Sequence, residues 1–121
     1  MSDGAREYEL VLMLDPGLEE VVRDKLAQDA RERIEADGAL MQAESWGIRK
    51  LAYEIRQRTE ADYRWMRFQG PRQLLEQLDH NLKIADGVLR FRIFKVDPGA
   101  PVTAPPPVGT APAPRREPAA S

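Results

Sequence analysis

The chain has 121 residues, of which 31% are charged and 42% hydrophobic, the composition of one ordinary soluble domain. It contains no cysteine, which excludes disulfides, thiolate catalysis and cysteine-bound zinc. Its formal net charge of −2 supplies no overall pull toward nucleic acid.

The first residues, Met1 to Glu7, carry acids where a secretory signal requires positive charge. The apolar run that follows, Leu10 to Leu14, is too short for a signal core or a membrane span. A cytoplasmic protein with no membrane partner is therefore expected. Tyr8–Leu14 reads as a buried central strand. Asp15-Pro16 ends it, with Asp15 placed to cap a helix and Pro16 to fit its first turn. Leu18, Val22, Leu26, Ala30 and Ile34, with Val21 beside them, form one apolar stripe, so a helix is predicted from about residue 18 to 37, ended by Gly38.

Ala39–Ile55 reads as a long strand bent near Gly47. Residues 57–62 are polar and predict a loop, and Tyr63–Gln69 is an aromatic-rich strand. Gly70-Pro71 opens a second helix, whose inward face is Leu74, Leu75, Leu78 and Leu82. Asp86-Gly87 is a turn, and Val88–Val96 is the last strand, with Val88, Arg90, Arg92 and Phe94 alternating against Leu89, Phe91, Ile93 and Lys95. Eight of the ten prolines stand at or after Pro98. Residues 1–97 are therefore expected to be the folded domain, and residues 98–121 a disordered Pro/Ala-rich tail.

Strand, helix, strand, strand, helix, strand is the split βαβ order. The predicted fold is α+β, ferredoxin-like (βαββαβ): a four-stranded antiparallel sheet with both helices on one face, since right-handed crossovers place them together. The opposite face is then left bare. Charge is uneven along this chain: residues 1–44 hold 12 acids and 5 bases, a net of −7, while residues 45–97 hold 7 acids and 11 bases, a net of +4. Such asymmetry points to a localised anionic partner. Three strands mix arginine with aromatics, and these two residue types meet the needs of RNA binding, cations for phosphates and flat rings for unstacked bases.

Arg49 and Lys50 lie adjacent in the middle of an otherwise apolar strand. Burying an unpaired cation is costly, so the pair marks either a solvated edge strand or a phosphate contact. Arg6, Arg67, Arg90 and Arg92 are further cationic candidates, with ordinary surface charge as the competing reading. Tyr53, Tyr63 and Trp65 are placed either to stack on bases, to enter a partner's pocket, or to pack in the core. No catalytic set emerges. His80 is the only histidine and falls on the second helix as an exposed residue, and no Gly-rich phosphate loop precedes either helix. No enzyme activity, cofactor, metal or small-molecule substrate is expected.

Several motifs resemble the family of the bacterial small-subunit ribosomal protein numbered six. They are Arg6-Glu-Tyr-Glu-Leu10, Leu14-Asp-Pro-Gly-Leu18, Gly38-Ala39, Trp46-Gly-Ile-Arg-Lys-Leu-Ala-Tyr53, and Asp86-Gly-Val-Leu-Arg90 with Lys95. The resemblance spans about residues 6–97, and Glu54 stands where that family usually has proline. It implies a non-enzymatic constituent of the small ribosomal subunit. Such a protein binds 16S ribosomal RNA together with the ribosomal protein numbered eighteen, as a heterodimer, during assembly of the central domain or platform. The alternative reading is a small-molecule-sensing or homodimerising βαββαβ module, which requires an apolar bare face.

Overall fold

In the computed structural model residues 6–97 are described, and residues 1–5 and the expected tail 98–121 lie outside them. Strand β1 (Arg6–Leu14) is buried at every position from Glu7 to Leu14. Burial on both faces explains why its sequence is a continuous apolar run rather than an alternation. After it come α1 (Glu20–Asp37), β2 (Ala39–Ile55), β3 (Arg58–Gly70), α2 (Arg72–Ile84) and β4 (Val88–Val96). The sheet order is β2-β3-β1-β4 with all neighbours antiparallel. This is the expected ferredoxin-like split βαβ.

Both helices pack on one sheet face. Ala27, Ala30 and Ile34 of α1 and Leu74, Leu78 and Leu82 of α2 meet Tyr8, Leu10, Leu12, Leu14, Met66 and Phe68. The start of α1 departs from the sequence expectation. Asp15 caps no helix; its Oδ1 accepts the Gly17 N–H at 2.8 Å inside the β1–α1 loop. The N-cap is Glu19, without a side-chain bond. Val21, at 68% exposure, and Val22 stand in solvent, so the buried stripe begins one turn later than its periodicity suggests. Gly38 ends α1 in extended geometry, φ −152°. It is needed for close approach: a Cβ there would sit 2.2 Å from the Gln69 carbonyl oxygen of β3.

The second face is where structure and expectation part. Residues 57–62 are not a loop. Arg56 (φ 50°) and Gln57 (φ 67°) alone make the turn, and β3 starts at Arg58. Two left-handed central residues suit the right-handed twist of a two-residue hairpin. Thr59 and Glu60 are polar because they are exposed, not because they are irregular. The register of β2 slips between Ser45 and Gly47, with Gly47 at φ 82°, which is the bend that the glycine suggested. Beyond that bend the β2–β3 hairpin curls back over the sheet. Trp46, Leu51 and Ile55 of the curled strand join Val11, Met13, Ala61, Trp65 and Leu89 in a second core. The face expected to be bare is thus half covered by its own hairpin.

The hairpin tip is held at both sides. Arg58 Nε lies 2.9 Å from Asp15 Oδ1, and Arg56 Nη1 donates to the Val88 carbonyl at 3.3 Å. An irregularity at the start of β4, where Leu14 pairs with Val88 but Met13 with Arg90, sends Val88 to the helix-side core and Leu89 to the second core. The strict alternation expected from Val88 is corrected by this bulge.

A four-member ionic network ties α1 to β3. Buried Asp62 accepts from Arg23 at 2.7 Å and from Arg64 at 2.8 Å, and Arg64 also reaches Asp24 at 2.9 Å. Burial pushes the Asp62 carboxyl up, but the hydrogen bonds and charges of Arg64 and Arg23 outweigh it and hold the group below its usual 3.8. The unfolded chain therefore takes up this proton first on acidification. The stabilisation is complete above the usual carboxylate value and is lost as pH falls through the lower, folded one. Denaturant titrations from about pH 6 to about pH 2 should show Asp62→Asn losing less stability with acid than the wild type. Equal acid slopes would remove the carboxylate from that role. Gly38→Ala should cost about 1–3 kcal/mol through forced separation of α1 and β3, read from the same denaturation midpoints.

Candidate nucleic-acid interface

Arg49 apart, the cations of the described residues fall into two groups. Arg23, Lys25, Arg31, Arg33, Arg58, Arg64, Arg67, Arg72 and Lys83 each lie at ion-pair distance from a carboxylate. Arg6, Lys50, Arg56, Arg90, Arg92 and Lys95 have no such carboxylate among the described residues. The paired group is concentrated on the helices and the strand surfaces that they cover. The second group lies on the outer strands, the hairpin tip and the end of β1. Here the cationic charge is not neutralised internally.

A groove runs between the curled part of β2 and strand β4. Its volume is about 460 Å³, and its walls and floor include Val11, Met13, Leu51, Tyr53, Tyr63 and Phe94. Arg90 and Arg92 line it from β4, two residues apart on one strand face. Arg92 lies with its guanidinium carbon 5.8 Å from the Phe94 ring centroid, a cation–π contact. Arg90 Nη1 donates to the Tyr53 hydroxyl, bridging the groove. Arg49, on β2, donates its Nε to the carbonyl of Trp46, which lines the groove, at 2.8 Å. Burial pushes the Tyr63 phenol above its ordinary value, while the Arg49 and Arg90 charges pull it the other way. Both guanidinium groups therefore act on the same hydroxyl.

The expected site residues separate on this geometry. Tyr53, Tyr63, Arg90 and Arg92 line the groove, while Arg49 lies outside its lining and its charge acts on Tyr63. Lys50 is exposed, but its neighbour Arg49 pairs with buried Ala61, so alternation sends Lys50 away from the groove. Arg6 is exposed at the far end of β1, in register with Gly70. Two of these side chains are internal: Trp65 takes the core-packing alternative, and Arg67 is corrected from an outward cation to a buried one. Trp65 is 1% exposed: Trp46 stacks on it at 6.0 Å and 13° between planes, and its Nε1 donates to Glu9 at 3.1 Å. Arg67 is 5% exposed: it donates to Glu7 at 3.0 Å and to the Asp97 carbonyl at 3.1 Å, with Glu9 Oε2 at 3.7 Å. Neither side chain reaches a partner's surface from there.

Val11, Met13 and Phe94 were not singled out from the sequence as site residues, yet they line the groove. For Val11 and Met13 the signal was the continuous hydrophobicity of β1, which shows that a second face is apolar but not that part of it stays open. Among the described residues no three His, Asp or Glu stand together to hold a metal, and no helix is long and apolar enough to cross a membrane.

Comparisons with known proteins agree with this fold. The family model described as "Ribosomal protein S6" matches residues 7–95. A small ribosomal subunit protein bS6 from Alkaliphilus oremlandii is 41% identical over 91 residues, covering 75% of this chain and 97% of that protein. Its counterpart from Geobacter metallireducens is 35% identical over 111 residues, covering 89% and 94%. The crystal structure of 30S ribosomal protein S6 from Thermotoga maritima superposes with a TM-score of 0.72 at 29% identity, covering 76% of this chain and 88% of that one.

The buried Arg67 cluster has a testable structural role. Two carboxylates share this guanidinium, and Gln69 and Trp65 supply further donors at 3.3 and 3.1 Å. Arg67→Met would leave Glu7 and Glu9 buried without their cation, so a loss of about 3–5 kcal/mol in urea denaturation is expected. A variant as stable as the wild type would show that the pair is solvated.

Proposed function

Because the chain belongs to the ribosomal protein S6 family, whose members are structural constituents of the small ribosomal subunit and not enzymes, we propose that its open sheet face binds 16S ribosomal RNA. In this reading it does so together with the ribosomal protein numbered eighteen, as a heterodimer in the central domain or platform. The carrying observation is that Arg90 and Arg92 are exposed, lack a carboxylate partner among the described residues, and flank an apolar groove with two tyrosines. A cation held away from its own acids keeps its attraction for an external anion. Arginine suits a phosphate because its planar fork can donate two parallel hydrogen bonds. Tyr53 offers a flat ring at the groove mouth for an unstacked base, and the apolar floor suits side chains of the protein partner.

Lys50 and Arg6 add cationic charge on other surfaces and would serve phosphates that pass there. No covalent step is involved. The protein acts as a rigid plate, and its place of work is the ribosome in the cytoplasm. A self-pairing module fits less well, since apposing two copies of this face would bring Arg90 and Arg92 toward their own kind.

Two measurements test the reading. In lysate sedimentation the chain should travel with small ribosomal subunits, and a chain remaining at the top of the gradient would contradict it. Arg90→Gln with Arg92→Gln should weaken binding to 16S ribosomal RNA in the presence of the protein numbered eighteen. The log–log salt slope should fall by about 0.7 per lost phosphate contact. An unchanged affinity and slope would take both residues out of the interface.

A further inference from the structure

Arg90 has no carboxylate at ion-pair distance among the described residues, and its guanidinium instead donates to the neutral hydroxyl of Tyr53. The two residues come from opposite walls of the groove, 37 positions apart in the chain. Tyr53 is 60% exposed, so most of its ring stands in solvent at the groove mouth. Resting on the RNA-binding reading above, we propose that Tyr53 is a displaceable occupant of a phosphate site on Arg90. An RNA phosphate takes over the guanidinium donor, and the released ring turns to stack on an adjacent base.

The chemistry favours this exchange. An anionic phosphate offers the guanidinium a full opposite charge and two oxygens for paired donation, neither of which a neutral phenol supplies, so a phosphate outcompetes a phenol for Arg90. Arg92 is two residues along the same strand face, roughly 7 Å away, and adds a second positive charge to the same approach. Arg49 and Arg90 both act on the Tyr63 hydroxyl just inside the groove, as does Tyr53. The groove lining thus brings together the guanidinium groups of Arg90 and Arg92 and the phenols of Tyr53 and Tyr63, with no acid among them. An acidic side chain of a protein partner would also compete for Arg90. The phosphate is favoured because, in RNA, the phosphate that takes Arg90 is joined to a base that can stack on the released ring.

The test compares Tyr53→Phe, Tyr53→Ala, Arg90→Gln and wild-type full-length chains, each with the protein numbered eighteen, for binding to 16S ribosomal RNA. Tyr53→Phe keeps the ring and removes the competing hydroxyl, so it should bind about three- to tenfold more tightly than wild type. Tyr53→Ala should bind at least about fivefold more weakly than Tyr53→Phe, because the stacking ring is gone. Thermal midpoints of all variants check that folding is intact. If Arg90→Gln weakens RNA binding while Tyr53→Phe binds no more tightly than wild type, displacement is wrong but the RNA reading stands. If Arg90→Gln leaves RNA binding unaltered, Arg90 holds no phosphate and the displacement is overturned; if the wild-type chain itself does not bind the RNA, the RNA reading falls as well. If Tyr53→Phe tightens capture of the protein numbered eighteen without RNA, and leaves RNA binding unaltered, the competitor is a carboxylate and the phosphate site is overturned.

Discussion

The stack of Trp46 on Trp65 organises the second face of this protein. Two helices can cover only one side of a four-stranded sheet. Here the other side is closed by the sheet's own edge strand, which bends at Gly47 and lays its indole on the indole of β3. Offset aromatic stacking contributes about 0.5–1.5 kcal/mol beyond area burial. Polar bonds fix both rings in place: Glu9 accepts the Trp65 N–H, and Glu44 accepts the Trp46 N–H at 3.1 Å. Tyr63 extends the stack at 6.5 Å toward the groove. The curl of the hairpin, the second core and one wall of the groove all follow from this contact.

The same residue type does opposite work on the two sides of that stack. Arg67 lies toward the start of β1, where Glu7 and Glu9 point to the same face and draw it inward. Arg90 and Arg92 lie on the other edge, opposite Met13 and Val11, where β1 offers no acid. Arg64 points to the helix side and meets Asp24 and Asp62. Register alone decides whether an arginine becomes internal cement or an outward charge. The overall negative charge of the chain therefore coexists with a cationic rim, since its acids are concentrated on α1 and the buried start of β1.

A binding role requires a shape that does not yield when a polyanion approaches. The ionic network of Asp62, the Arg58–Asp15 contact at the hairpin tip and the close passage of Gly38 beside Gln69 each join elements distant in sequence. They brace α1 and the hairpin against the sheet through β3. What remains adjustable is small and local: the long side chains at the groove mouth, with Tyr53 and Arg90 holding one another across it.

Periodicity, turn residues and the apolar run of β1 made the element order, the split βαβ topology and the helix-side core legible in the chain itself, because local propensity and burial there agree. The Leu-Ala-Tyr motif after Arg49-Lys50 also made the family recognisable. The curl of the hairpin was not legible, since Thr59 and Glu60 are polar both in an exposed strand and in a loop. Nor was the fate of each arginine, which rests on the strand register and on a bulge at the start of β4. Alternation limits which side chains share a face, but only the tertiary fold decides what stands opposite them, because a carboxylate that neutralises a cation arrives from another strand.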